Sequence, residues 1–204
     1  MCLRGLRAPE TMPPMAIRKI ARLGHPVLRQ KTREVTREEI STPEMKRLVR
    51  DMIETMHEYG GVGLAAPQVH ESVRLAIIEF EADNERYEND EGQALLVIWN
   101  ARVKVLDDKP SGFWEGCLSV PGMRGYVERP SKIEVGYLDE RGKPKTLVAE
   151  GFLATVFQHE LDHLDGVVYV DKIADKTKFA FSEEYGRHHV EEGGEEAETP
   201  ASQE

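Results

Sequence analysis

Residues 151–165, GFLATVFQHELDHLD, carry apolar side chains around most of a helical circumference. Phe152 and Val156 share a face with His159 and His163, while Leu153, Phe157, Leu161 and Leu164 form a second stripe. A helix apolar on so many sides has to run through the middle of a domain, and the rest of the chain must wrap around it. That burial is costly, because it takes two imidazoles and the Glu160 carboxylate out of water. His159 and His163 are four residues apart on one face, so both rings can reach one ion, and a bound metal offsets the cost. With Glu160 directly after the first histidine, the pattern is H-E-x-x-H, the arrangement of zinc-dependent hydrolases.

The segments available to surround this helix read mostly as strands. VRLAIIEF (73–80) and ALLVIWNARVKVL (94–106) are rich in branched and apolar residues. SKIEVGYLDERGKPKTLVAEG alternates on both sides of 139–144, where Gly142 and Pro144 predict the turn of a hairpin. One further helix is expected in STPEMKRLVRDMIETMHEYGG, where Met45, Leu48, Val49, Met52, Ile53 and Met56 recur at spacings of three and four. Ser41 with Glu44 offers it a capping box; alternatively Thr42 caps and Pro43 occupies the first turn. His57 is given no chemical role. Strands in the middle with a helix on either side imply an α+β fold, mostly antiparallel sheets packed around the central H-E-x-x-H helix.

A single catalytic metallohydrolase domain is expected over 15–181, flanked by disordered ends. The net charge of −10 is unevenly placed, since eight acids and one base fall within residues 182–204. That acidic tail has almost nothing to bury and is expected to be disordered. The remaining 181 residues are close to neutral and show no basic stripe, which argues against direct nucleic-acid binding. The first fourteen residues, MCLRGLRAPETMPP, are expected to be a disordered extension, either a targeting segment or sequence ahead of a start at Met15. No apolar run approaches the roughly 20 residues that a bilayer crossing needs. Cys2 and Cys117 are far apart along the chain, and Cys2 sits in a terminus expected to be disordered, which argues against a structural disulfide, so a reducing, cytoplasmic setting fits, with organellar targeting left open.

Two histidines supply only two ligands, and a catalytic site needs a third. The longer metalloprotease pattern continues to Gly166 but has Tyr169 where its third histidine belongs. Glu183, twenty residues past His163, would give a protease-type set of two histidines and a glutamate. Cys117 in WEGCLSVPGMRG is the third option and the favoured one, because a thiolate binds zinc or iron(II) well.

GVGLAAPQV (61–69), EGCLSVPG (115–122) and QHELDHLDG (158–166) occur in the order and approximate spacing of the three motifs of the peptide deformylase family. GHPVLR (24–29) resembles the start of that family, and the likeness covers roughly residues 16–175. The resemblance implies removal of the formyl group from N-terminal formylmethionine of newly synthesised polypeptides, releasing formate. It also implies one divalent ion per chain on Cys117, His159 and His163, with iron(II) the favoured native ion and zinc, nickel or cobalt compatible. Glu160 would act as acid and base, and Gln68 and the Leu118 amide would donate to the oxyanion. Val62, Gly63 and Gly116 would bind the peptide backbone, and Val62, Phe113, Phe152, Thr155 and Val156 would line the methionine pocket. Arg124 either pairs with Glu115 and braces the cysteine loop, or both lie exposed at the surface. N-formylmethionyl nascent peptides are the expected partners. Transient proximity to the ribosome is compatible, but the acidic end does not offer the basic docking tail of some members.

Overall fold

The computed structural model describes residues 16–80 and 92–189. The expected extension at 1–14 and the tail from 190 onward lie outside them. In chain order the regular elements are α1 (Arg37–Ile40), α2 (Pro43–Glu58), β1 (Gly63–Ala65), β2 (Leu75–Phe80), β3 (Gln93–Cys117), β4 (Val120–Leu138), β5 (Pro144–Glu150), α3 (Gly151–Leu164), β6 (Phe179–Phe181) and α4 (Ser182–His188). Short 3-10 helices join several of them.

All strand pairs are antiparallel, in the order β1-β2-β3-β4-β5 with β6 added to β4. The hairpin expected around 139–144 is β4 and β5, with Leu138 opposite Pro144. β3 and β4 are longer than their apolar segments suggested, because their pairing continues past Val105 with Ile133 to Cys117 with Val120. That extension delivers Cys117 to the end of β3. Asn100 interrupts the ladder with φ 52°, and its side chain both accepts from Val35 N–H at 3.0 Å and donates to Val35 C=O at 2.8 Å.

Thr42 caps α2, accepting Met45 N–H at 3.4 Å with Pro43 in the first turn, which decides between the two caps the sequence offered. Ser41 instead closes α1, a one-turn helix held by a reciprocal Thr36–Glu39 capping box. The apolar stripe of α2 packs on β1, β2 and the start of β3, with Leu48, Val49, Met52 and Met56 buried.

α3 is the central helix. It touches β1 through β5, and eleven of its fourteen residues are buried, including His159, Glu160 and His163. Its end is a Schellman motif: Val167 N–H reaches Asp162 C=O at 2.9 Å and Gly166 N–H reaches His163 C=O at 3.3 Å. Gly166 takes φ 77°, and a Cβ there would lie 2.8 Å from the Arg29 backbone, so this position requires glycine twice over.

The expected boundary between domain and tail at 181/182 is corrected: residues 182–188 form α4. Tyr185 of α4 lies with its ring 4.8 Å from that of Trp114, and this contact outweighs the polar composition of the segment.

Candidate metal centre

Three parts of the chain converge beside α3. β1 and the 3-10 turn Ala66–Val69 bring Gln68, the end of β3 brings Cys117, and α3 brings His159, Glu160 and His163. The ligand atoms of Cys117, His159 and His163 all lie within 4.8 Å of one another, and Cys117 Sγ is 3.2 Å from His163 Nε2. No other described group of three acidic, cysteine or histidine residues is so arranged. Glu183, the alternative ligand, is exposed on α4 and outside this cluster, so the protease-type set is not formed.

His159 is held from behind. Its Nδ1 is 2.7 Å from Glu115 Oε2, leaving Nε2 to face the cluster, an arrangement that orients metal-binding imidazoles. The Tyr169 ring stacks on it at 5.9 Å and 23°. Burial alone would lower the His159 pKa, but the bonds to Cys117 and Glu115 raise it well above the usual imidazole range. Burial and the neighbouring charge of His159 hold His163 well below that range.

Glu115 pairs with Arg129, not with Arg124 as the sequence suggested. Arg129 Nε and Nη2 donate to the two Glu115 oxygens at 2.6 and 3.0 Å, and Nη1 donates to Asp162 Oδ2 at 2.7 Å. The pleat explains the choice: Glu115 lies opposite Gly125, so residues 125, 127 and 129 of β4 share its face, whereas 124 points the other way. Burial opposes ionisation of Glu115, but His159 and Arg129 keep its pKa below the usual carboxylate value.

Glu160 is buried, and burial pushes its pKa up to about 7 against the lowering charge of His159. Its Oε2 and His163 Nδ1 are buried polar atoms without a hydrogen-bond partner among the described residues. Gly63 makes room for Glu160, since a Cβ at that position would sit 2.5 Å from Glu160 Oε1. Gln68 is oriented by Ala65 N–H, which donates to its Oε1 at 2.8 Å. Its Nε2 therefore faces Cys117 Sγ at 3.4 Å and Ser119 Oγ at 3.3 Å. Leu118 occupies the turn directly after Cys117.

An open cleft of about 1120 Å³ reaches this cluster, and Val62, Gly63, Phe113, Gly116, Phe152, Thr155 and Val156 all line it. Phe113 and Phe152 meet edge to face at 5.7 Å. The hydroxyl of Thr155 turns back to Gly151 C=O at 3.5 Å, which accounts for a polar residue in an otherwise apolar wall. Sequence reasoning missed Arg129, Ser119 and the stacking of Tyr169. Strand alternation identifies the first once the register of β3 and β4 is known; the other two depend on tertiary placement.

A family model described as polypeptide deformylase matches residues 17–179. A peptide deformylase of Leptospira biflexa is 47% identical over 170 residues, covering 83% of this chain and 95% of the relative. A class I type b peptide deformylase from Acinetobacter baumannii, solved with Met-Ala-Ser bound, superposes with a TM-score of 0.75 at 34% identity, over 78% of this chain and all of that one. A Synechococcus elongatus peptide deformylase in complex with actinonin gives 0.70 at 35% identity, over 87% and 90% of the two chains.

Proposed function

The chain belongs to the polypeptide deformylase family, metal-dependent hydrolases that remove the formyl group from N-terminal formylmethionine of new polypeptides, and on that premise we propose how its residues divide the work. Cys117, His159 and His163 hold one divalent ion. The observation that carries this is their convergence, a thiol and two imidazoles from β3 and α3 within 4.8 Å at the floor of an open cleft. Such a set suits iron(II), zinc, nickel or cobalt, and iron(II) is the native ion we assign. The buried, unpartnered polar atoms of Glu160 and His163 fit a site that has a cation beside it. When bound, the ion supplies Lewis acidity and lowers the pKa of a coordinated water.

Glu160 takes the proton of the attacking water and returns it to the departing amine. Its raised affinity for a proton suits both halves of that task. Gln68 Nε2 and the Leu118 N–H donate to the formyl oxygen as it gains charge. The Ala65 hydrogen bond fixes the Gln68 amide in advance, so little reorganisation is needed. The backbone at Val62, Gly63 and Gly116 pairs with the substrate main chain as an added strand. The methionine side chain enters the wall formed by Val62, Phe113, Phe152, Thr155 and Val156. The Met-Ala-Ser bound to the Acinetobacter baumannii relative supports a methionine-led peptide as the ligand. Nascent formylated chains are met where they are synthesised, which for this chain we assign to the cytoplasm or to an organelle with its own protein synthesis.

Metal analysis together with formate release from formyl-Met-Ala-Ser tests the assignment. Glu160→Gln is expected to keep its metal and lose nearly all activity, whereas Cys117→Ala loses the metal itself. Undiminished formate release by Glu160→Gln would remove that residue from its role, and full metal content in Cys117→Ala would remove the thiol from the ligand set.

A further inference from the structure

Three cations line the cleft without a carboxylate partner. Lys19, Arg22 and Arg124 form no ion pair among the described residues, and Lys19 and Arg22 are exposed. The two acids that line the cleft, Glu115 and Glu160, are buried, and Glu115 is already held by Arg129 and His159. A peptide entering between these walls therefore meets accessible positive charge and, among the described residues, no accessible negative charge.

Backbone bonds fix where these cations stand. Ala21 N–H donates to Gln68 C=O at 2.8 Å, and Leu23 N–H donates to Ser119 C=O at 2.8 Å. The stretch that carries Lys19 and Arg22 is thereby pinned both to the turn of the oxyanion donor Gln68 and to the turn after Cys117. Arg124 lies against Gly116, where an added Cβ would run into its guanidinium. Gly116 is one of the backbone positions assigned to the substrate, so that guanidinium stands beside the path of the peptide. The methionine takes the apolar end made by Phe113, Phe152 and Val156, and the residues after it are left to meet the cations. An extended peptide advances about 3.3 Å per residue, so the second and third residues cover roughly 7 Å of the opening beyond the methionine.

We propose that Lys19, Arg22 and Arg124 make this chain select formylated peptides that carry aspartate or glutamate at the second or third position, against those with lysine or arginine there. The inference rests on the reading of this cleft as the formyl-peptide site and names the class of nascent chain that the site prefers. Selection has two parts, attraction of an acidic side chain and repulsion of a basic one. Each exposed pair is individually weak, so the preference is modest. The chain as a whole carries −10, and at very low salt that distant charge repels an acidic peptide and works against the cations of the cleft. At 0.1 M the Debye length is about 10 Å, which screens the distant charge and leaves contact pairs in force; at 1 M it is about 3 Å and the pairs fade as well.

The test measures formate release by the metal-loaded full chain on formyl-Met-Asp-Ser against formyl-Met-Lys-Ser, and on formyl-Met-Ala-Asp against formyl-Met-Ala-Lys. Each peptide is amidated at its C-terminus, so that the carboxylate read is the side chain's. At 0.1 M salt, kcat/KM for aspartate is expected to exceed that for lysine about fivefold in at least one of the two pairs, the ratio falling below about twofold at 1 M. Lys19→Glu combined with Arg22→Glu is expected to reverse the order; both side chains are exposed, so the change removes no buried contact. Equal values in both pairs at 0.1 M overturn the proposal, as does a preference for lysine, or a preference for aspartate that the double variant keeps in full. The same comparison is made without turnover, by calorimetric titration of Met-Asp-Ser and Met-Lys-Ser amides, or of the third-position pair. Charge selection in binding by a protein that releases no formate from any peptide faults the assigned reaction and leaves the selection standing, whereas formate release without selection faults the selection alone.

Discussion

Arg129 shows how much of the centre depends on one side chain that never reaches the cluster of ligands. It is almost fully buried, and its three nitrogens satisfy Glu115 and Asp162 while Glu115 in turn orients His159. Removing one partner from a buried ionic group leaves the other charged and unpaired, which costs about 3–5 kcal/mol. Arg129→Ala is therefore expected to lower the free energy of unfolding in urea by about that amount. The same variant should hold its metal about 10–100-fold less tightly, because the partner that fixes His159 becomes free to move. A competition titration against a chelating dye reads this, and an affinity unchanged in the variant would confine Arg129 to a purely structural part. The sequence reading offered Arg124 in its place. Counting residues in the pleat would have corrected it, but only once the register of β3 and β4 was known.

At the scale of elements, legibility followed the amount of apolar surface that each segment commits. α2 and α3 carry stripes that bury along their length, and both were readable; for α2 the cap was one of the two that the sequence offered. α4 was not, because Tyr185 is its main anchor and its charged residues match those of the tail beyond it. The 3-10 turn Tyr169–Lys172 buries the stacked Tyr169 in a cluster with Leu28, Val127 and Val168, and it also makes polar contacts. Asp171 accepts from Val168 N–H at 2.9 Å and forms a bidentate pair with Arg29. The hydrogen bond from Arg29 is the main reason that the Asp171 pKa lies below its ordinary value; the Val168 amide adds to it. A carboxylate depressed in the folded state stabilises above its unfolded pKa and loses that contribution as pH falls through the folded value. Asp171→Asn is thus expected to melt earlier at pH 7, by a deficit of about 1 kcal/mol. The deficit should shrink once pH drops below about 4, where the unfolded aspartate protonates. Thermal melts of both proteins across pH 3–7 check the sign, and a deficit that grew on acidification would contradict it.

Considered as a whole, the molecule is a sheet wrapped on one helix, and the proposed ion is the point at which the two are cross-linked. Cys117 ends β3, while His159 and His163 sit on the buried face of α3. The order of the three motifs was legible from the start; that a thiol 42 residues before the first histidine returns to it depended on the long β3–β4 hairpin, whose polar outer half gave no strand signal. An ion bound to groups from both layers stabilises the folded chain by mass action, by about 2.7 kcal/mol at a hundredfold excess over its dissociation constant. Stripping it with a chelator is expected to abolish formate release and to lower the melting temperature together. Returning iron(II) without oxygen should restore both, and zinc should restore the melting temperature irrespective of its activity. The control is Cys117→Ala, which lacks the cross-link before any chelator is added and should show no further fall in melting temperature. If chelation lowered the melting temperature of that variant as much as that of the unaltered chain, the stabilising ion would lie elsewhere, and the thiol and imidazoles would be neighbours in the fold without being joined through a metal.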